Sequence, residues 1–246
     1  IYDPCAPGSR LGTTRAAWDA AVAQDPALPQ LLDGLHFHTL CEQDADALAV
    51  TLDAVAEKFG DILPKIQWVN FGGGHHITRP GYAVETLEHC IARAQNAWGV
   101  TVYLEPGEAC ALNAGYLLTR VLDVVQNGGT TVAILDASAA CHMPDVIEMP
   151  YRPPLLFAGD AGQKPCTVRL AGPTCLAGDV IGDYGFDAVP RAGDLLVFGD
   201  MAIYTTCKNN TFNGMPLPAI CVRDEAGSVR ELVKFGYRDF KARLGK

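Results

Sequence analysis

The 246-residue sequence has no uninterrupted apolar run approaching the roughly 20 residues a membrane span needs, and no charged-then-apolar opening typical of an export signal. Neither a membrane anchor nor an export route is expected. Basic residues are scarce: 19 Lys and Arg stand against 28 Asp and Glu, for a net charge of -9. That balance argues against a nucleic-acid surface and suits a cationic substrate. The nine cysteines form an odd set with no CxxC pair. They fit a reducing compartment better than a disulfide framework or a structural zinc site, so a cytoplasmic location is expected. What remains is 49% hydrophobic and 19% charged, an ordinary globular composition able to bury one large core or two modest ones.

The first residue is not Met, and Ile1–Tyr2–Asp3–Pro4 reads like the end of a strand already under way. The sequence is expected to begin inside a longer gene product. From Thr13 to Gly107 helix and strand patterns alternate. Thr13 is the expected cap of a helix carrying Ala16, Ala17, Trp18 and Ala21, followed by a strand from Leu35 to Leu40. A helix over Asp44 to Phe59 places Ala47, Leu48, Leu52, Val55 and Phe59 on one stripe, and a strand over Ile66 to Phe71 runs into Gly72–Gly73–Gly74. A third helix, Tyr82 to Trp98, stops at Gly99, and a strand from Val100 to Leu104 leads into Glu105–Pro106–Gly107–Glu108. Repeated βα units imply a parallel sheet or barrel.

Beyond Leu112 the runs become strand-length: Leu117 to Val125, Thr131 to Leu135 after Asn127–Gly128–Gly129, Thr167 to Leu170, Leu195 to Phe198 and Ala219 to Val222, with helix again around Tyr237 to Leu244. The boundary falls near residues 109–115, giving units 1–110 and 111–246. A complete (β/α)8 barrel takes roughly 250 residues, so the first unit supplies about half of one. The expected fold class is α/β plus β, a partial barrel followed by a C-terminal β domain.

Catalytic groups gather where parallel strands end, and three strand ends here carry polar or glycine-rich signatures. In Leu35–His36–Phe37–His38–Thr39, period-two alternation puts His36 and His38 on one face. They could be a structural pair, metal ligands, or a ring laid against a cofactor. Phe71–Gly72–Gly73–Gly74–His75–His76 could bring backbone N–H groups close to a phosphate, or could simply make a tight turn. Glu105 could hold a proton on a heterocycle or cap the next helix. In the β half, Gly172–Pro173–Thr174–Cys175–Leu176–Ala177–Gly178–Asp179 offers a thiol that is either packed or reactive, and Tyr204, Phe212 and the Thr211–Phe212–Asn213–Gly214 run follow it.

Taken in order, HxH, GGG, EPG, GPTC, Tyr204–Thr205 and TFNG resemble the pyridoxal-phosphate (PLP) decarboxylases that act on ornithine, arginine and diaminopimelate. The segments Cys5–Ala6–Pro7–Gly8–Ser9–Arg10–Leu11–Gly12, Met143 to Pro153 and Cys175 to Asp179 are similar to the branch acting on carboxynorspermidine and carboxyspermidine. The resemblance implies that His38 stacks on the PLP ring, that Gly72, Gly73 and Gly74 cradle its phosphate, that Glu105 pairs with the ring nitrogen, and that Tyr204 donates to the phosphate. It implies a homodimer with shared sites, in which Cys175 serves the neighbouring subunit and returns a proton after decarboxylation. The implied activity is decarboxylation of a carboxylated polyamine.

The sequence departs from that pattern at several places. Leu176 stands where ornithine-type relatives carry an acid that holds the distal amine, which makes Asp179, Asp183 and Glu148 the candidates for the substrate's amines. Glu108 replaces a phosphate-binding arginine, and Ile203 replaces an expected histidine. The lysine that carries the cofactor in this family lies upstream of the matching segments, and none of Lys58, Lys65, Lys164, Lys208, Lys234, Lys241 or Lys246 fits its motif. Two other readings stand beside this one: a metal-dependent barrel hydrolase built on His36 and His38, and a non-catalytic relative of the same family.

Overall fold

An N-cap side chain must reach the amide three residues on, and in the computed structural model, which describes residues 5–245, that geometry falls to Thr14. Its hydroxyl accepts from the Ala17 N–H at 3.2 Å, so helix α1 (Arg15–Gln24) begins one residue later than the Thr13 cap predicts. The strand end read at Ile1–Pro4 lies outside the described residues. The chain divides into two compact units, Ile1–Leu112 and Asn113–Lys246.

In the first unit the order continues β1 (Gly34–His36), α2 (Ala45–Phe59), β2 (Trp68–Asn70), α3 (Val84–Trp98), β3 (Thr101–Tyr103) and α4 (Gly107–Ala111). The three strands pair in parallel in the order β1-β2-β3, with Leu35 opposite Val69 and Val69 opposite Val102. This is the strand-and-helix wall of a partial barrel. The strands are shorter than the apolar runs that announce them. Only two or three residues of each run join the ladder, while Leu40, Ile66, Phe71 and Val100 are buried by packing instead. α2 buries Ala45, Leu48, Leu52 and Val55, the spacing that puts one helical stripe inward, and α3 buries Leu87, Cys90 and Ala94. These residues share one core with Val69 and Phe71, each buried leucine contributing about 1.5–3 kcal/mol.

The second unit contains β4 (Leu117–Asn127), β5 (Thr130–Leu135), α5 (Ala139–His142), α6 (Asp145–Glu148), β6 (Gly159–Asp160), β7 (Cys166–Ala171), β8 (Val180–Phe186), β9 (Leu195–Phe198), α7 (Tyr204–Cys207), β10 (Ile220–Arg223), β11 (Val229–Val233) and α8 (Tyr237–Leu244). Six strands form one sheet in the order β6-β8-β7-β5-β4-β9, parallel only between β5 and β7. β10 and β11 make a separate antiparallel ribbon. The β4–β5 turn uses Gly128 and Gly129 at φ 55° and 82°, the positive pair that a two-residue hairpin loop demands. Alternation sets the core: Thr119 and Val121 of β4 and Val168 and Leu170 of β7 point inward, beside Tyr184 and Phe198. β8 has no clear strand pattern in the sequence because Gly182, Asp183 and Gly185 interrupt it. It forms because Ile181 and Tyr184 are buried and its backbone pairs on both sides.

Candidate active site

The three parallel strands of the first unit end side by side, and the chain beyond each end is cross-linked to the others. Asn70, the last residue of β2, does most of this. Its amide nitrogen donates to Glu105 Oε1 at 2.8 Å, and its Oδ1 accepts the Gly72 N–H at 2.8 Å. Glu105 in turn donates its backbone N–H to the Gly72 carbonyl at 2.9 Å. Glu105 is thereby held at both backbone and side chain, while the side chain stays 50% exposed. A carboxylate so fixed has lone pairs left for an incoming donor.

The glycine run is dictated by close approach of backbone. Gly72 and Gly74 have φ of 71° and 80°. A Cβ on Gly72 would lie 2.4 Å from the Phe37 carbonyl oxygen, and one on Gly74 would lie 2.2 Å from that of Leu40. At Gly73 a Cβ would meet the Glu105 carbonyl oxygen at 2.8 Å and the His38 ring at 3.0 Å. The run therefore serves the tight turn and lets its backbone pack directly against Phe37, Leu40, His38 and Glu105. The Gly73 N–H donates to His38 Nδ1 at 3.2 Å, so the neutral ring carries its proton on Nε2.

β1 ends at His36, so strand alternation does not extend to His38 and the expected shared face is not what relates the two rings. They meet the site separately. His36 Nε2 lies 3.5 Å from Glu105 Oε2, while His38 sits on Gly73. The two histidines after the glycines point inward. His75 is 1% exposed, with Nε2 near the Phe71 carbonyl oxygen at 3.3 Å, and burial pushes its pKa down. His76 is also buried, 4.0 Å from Glu108 Oε1.

In the second unit Cys175 is exposed on the loop between β7 and β8. Its N–H donates to Asn213 Oδ1 at 2.7 Å. Asp179, proposed from sequence as a substrate ligand, faces the other way and is 3% exposed. Its Oδ2 accepts from the Thr174 hydroxyl at 2.7 Å, and both carboxylate oxygens accept from Ser138 Oγ, at 3.0 and 2.9 Å. A carboxylate committed inward to neutral donors organises the loop and is not presented to a substrate, which corrects the sequence reading. Asp183 on β8 takes a bidentate pair from Arg169 at 2.8 and 2.9 Å, and that hydrogen bonding holds its carboxyl below the ordinary range. Glu148 ends α6 beside Lys208, at 3.3 Å. The three acids therefore have three different partners and do not form one cluster. Tyr204 opens α7, with the Lys208 ammonium 5.4 Å from its ring centroid. Hydrogen bonding to Asp145 raises the Lys208 pKa.

Sequence reasoning missed Asn70 and Asn213. Asn70 lies just before the glycine run and Asn213 inside the Thr211–Gly214 run, but neither is given a role of its own by the sequence, and side-chain amides at such places bind backbone as readily as they face solvent. Among the described residues no group of three or more His, Cys, Asp or Glu could hold a metal ion, so His36 and His38 have no companion ligands for the hydrolase reading. Among the described residues no helix is long and apolar enough to cross a membrane.

Residues 1–202 match the family described as pyridoxal-dependent decarboxylase, C-terminal sheet domain. The chain is 41% identical to the carboxynorspermidine/carboxyspermidine decarboxylase of Campylobacter jejuni, across 99% of this chain and 65% of that protein. It is also 41% identical to the carboxyaminopropylagmatine decarboxylase of Synechocystis, across 100% of this chain and 62% of that protein. The crystal structure of the Campylobacter jejuni carboxynorspermidine decarboxylase complexed with norspermidine superposes with a TM-score of 0.83 over 97% of this chain and 66% of that one. A diaminopimelate decarboxylase, 23% identical, superposes with a TM-score of 0.75 and shares the fold. The chain thus spans a little under two thirds of the length of these relatives.

Proposed function

This chain belongs to the pyridoxal-dependent decarboxylase family, and on that premise we propose that the protein decarboxylates a carboxylated polyamine, carboxynorspermidine or carboxyspermidine, with PLP as cofactor. The observation that carries the proposal is the pinned Glu105 carboxylate beside the Gly72–Gly74 turn and the His38 ring. The residues present fit such a group. His38 offers a ring fixed by the Gly73 amide, and Glu105 offers an oriented acceptor for a ring N–H. When bound, the cofactor supplies the electron sink that receives the electron pair left as CO2 departs.

The chain's own residues then have distinct tasks. Glu105 keeps the heterocycle's nitrogen protonated, which makes the sink effective, and His36 and Asn70 hold Glu105 in place. His38 supports the ring face, and the glycine turn, whose Gly72 and Gly73 amides are given to Asn70 and His38, offers the Gly74 amide to the phosphate end. Tyr204 is the second unit's proposed donor to phosphate. Cys175 returns the proton to the α-carbon as a general acid, in the site of a neighbouring subunit of a homodimer. Glu148, with Asp183 as the second candidate, meets the substrate's amines. Asp179 holds the Cys175 loop. The odd number of cysteines with no CxxC pair supports a cytoplasmic setting.

A second substrate is favoured by one specific observation, the equal 41% identity to a carboxyaminopropylagmatine decarboxylase. That substrate carries a guanidinium, which a carboxylate such as Glu148 binds in a bidentate manner. The test is CO2 release by the full-length protein with PLP from carboxynorspermidine, carboxyspermidine and carboxyaminopropylagmatine. A kcat/KM at least tenfold higher for either of the first two supports the first reading, and the same preference for the third supports the second. Release from none of them rejects both.

A further inference from the structure

The exposed Cys175 is held at its backbone by a side chain from a distant loop, and that loop is itself anchored. Cys175 N–H donates to Asn213 Oδ1 at 2.7 Å. Because the donor is an N–H, the Asn213 amide must turn its oxygen toward Cys175. Asn213 adopts left-handed backbone, φ 60° and ψ 16°, a conformation that asparagine tolerates better than most residues with a Cβ. One residue earlier the chain is tied down: Phe212 N–H donates to Asn210 Oδ1 at 3.0 Å. Asn210 in turn donates its amide to the Ala140 carbonyl at 2.7 Å and its backbone N–H to the Cys141 carbonyl at 3.0 Å. On the other side of Cys175, Thr174 is fixed to the buried Asp179, which also accepts from Ser138 Oγ and the Ala140 N–H.

Cys175 therefore lies between two anchors that converge on the same short helix, α5. One runs through Thr174, Asp179 and Ser138, and the other through Asn213 and Asn210. The first fixes the residue before the thiol. The second fixes the amide of Cys175 itself, and with it the direction in which the Cα–Cβ bond leaves the backbone. We propose that Asn213 is a positioning residue for proton return: its side-chain oxygen sets the direction of the Cys175 thiol, and its left-handed backbone is what brings that oxygen to the Cys175 amide. The proposal rests on Cys175 being the proton donor.

The experiment uses the full-length holoenzyme and the variants Asn213→Gly, Asn213→Asp and Cys175→Ala. Glycine accepts the left-handed backbone without strain and removes the acceptor, while aspartate keeps an acceptor at the same reach. Two quantities are read: polyamine formed per CO2 released, and the rate at which iodoacetamide alkylates Cys175, followed by mass spectrometry of its peptide. A proton delivered to the wrong carbon, followed by hydrolysis of the C=N bond by one water, would release the substrate carbon as an aldehyde whose oxygen comes from that water and leave the amine on the cofactor, so the first ratio falls below one. Asn213→Gly should lower that ratio, reduce kcat by about 3- to 10-fold with KM within about twofold, and speed alkylation by about threefold or more as the loop relaxes. Asn213→Asp should restore all three.

Wild-type stoichiometry and alkylation in Asn213→Gly, with fidelity lost in Cys175→Ala, would overturn the positioning role alone. Wild-type rate and stoichiometry in Cys175→Ala would instead reject the proton-donor reading, and the positioning role with it. If Asn213→Gly does not fold, Asn213→Ser, whose shorter side chain falls short of the Cys175 amide, is judged by the same two readouts.

Discussion

Replacing Asn70 with alanine removes both ends of the single amide that ties the Glu105 carboxylate to the glycine turn. Two hydrogen bonds of 2.8 Å are lost, one donated to Glu105 and one accepted from the Gly72 N–H. A neutral hydrogen bond contributes about 0.5–1.5 kcal/mol net and one to a charged group about 1.5–3 kcal/mol. The Glu105 side chain is 50% exposed, so water offsets part of the second, and a combined loss of about 1–3 kcal/mol is expected. Urea denaturation should show a lower midpoint of that size with an unchanged slope. Because Glu105 would then sample more than one position, kcat should fall by about 5- to 50-fold. Asn70→Asp separates the two bonds. It can still accept from Gly72 but sets a second carboxylate against Glu105, so it should recover part of the stability and lose more activity than the alanine variant. If Asn70→Ala matches wild type in both midpoint and kcat, the cross-link does not fix Glu105 and the reasoning fails.

Full-length protein altered at Cys175 to alanine should decarboxylate more slowly and form less than one polyamine per CO2, and a normal rate with clean stoichiometry would make Cys175 a packing residue. Mixing that variant with one altered at Glu105 should restore about a quarter of wild-type activity, since about half of the dimers would be mixed and each would hold one intact site. No recovery after subunit exchange has been demonstrated would count against shared sites. His142 is buried, accepts the Ser138 N–H on Nδ1 at 3.1 Å and donates from Nε2 to the Pro216 carbonyl at 3.0 Å, and burial pushes its pKa below 6.5. The unfolded chain therefore binds a proton that the folded one refuses. Stability should be intact above about pH 6.5 and fall as pH drops below it, by up to about 1.4 kcal/mol per pH unit. His75 adds a slope of the same sign, so His142→Gln should make the urea-midpoint profile shallower between about pH 7.5 and 5.5 without flattening it, and an unchanged profile would show that His142 titrates alike in both states.

Much of this was legible in the sequence because local rules sufficed. The stripe of α2, the stop of α3 at Gly99 and the Asn127–Gly128–Gly129 hairpin each follow from periodicity or turn chemistry. The glycine run, His38 and Glu105 were visible as strand-end signatures, and the structure brings them within contact of one another. What was not legible depended on distant partners. β8 is held by pairing on both sides despite its glycines. Asp179 reads as an exposed loop acid until Ser138, 41 positions away in sequence, is seen to donate to it. The roles of Asn70 and Asn213 likewise depend on residues 35 and 38 positions away. A side-chain amide says nothing locally about which backbone it will meet.

The central claim is that Glu105 keeps a pyridine nitrogen protonated and so drives loss of CO2. It is tested most directly by Glu105→Gln in the full-length holoenzyme, with cofactor content measured by absorbance and CO2 release measured on the preferred carboxylated polyamine. Glutamine keeps the size and the link to Asn70 but has no charge to hold the proton. The account predicts a normal cofactor content and a kcat lower by about 100-fold or more. Near-wild-type turnover with full cofactor would contradict it.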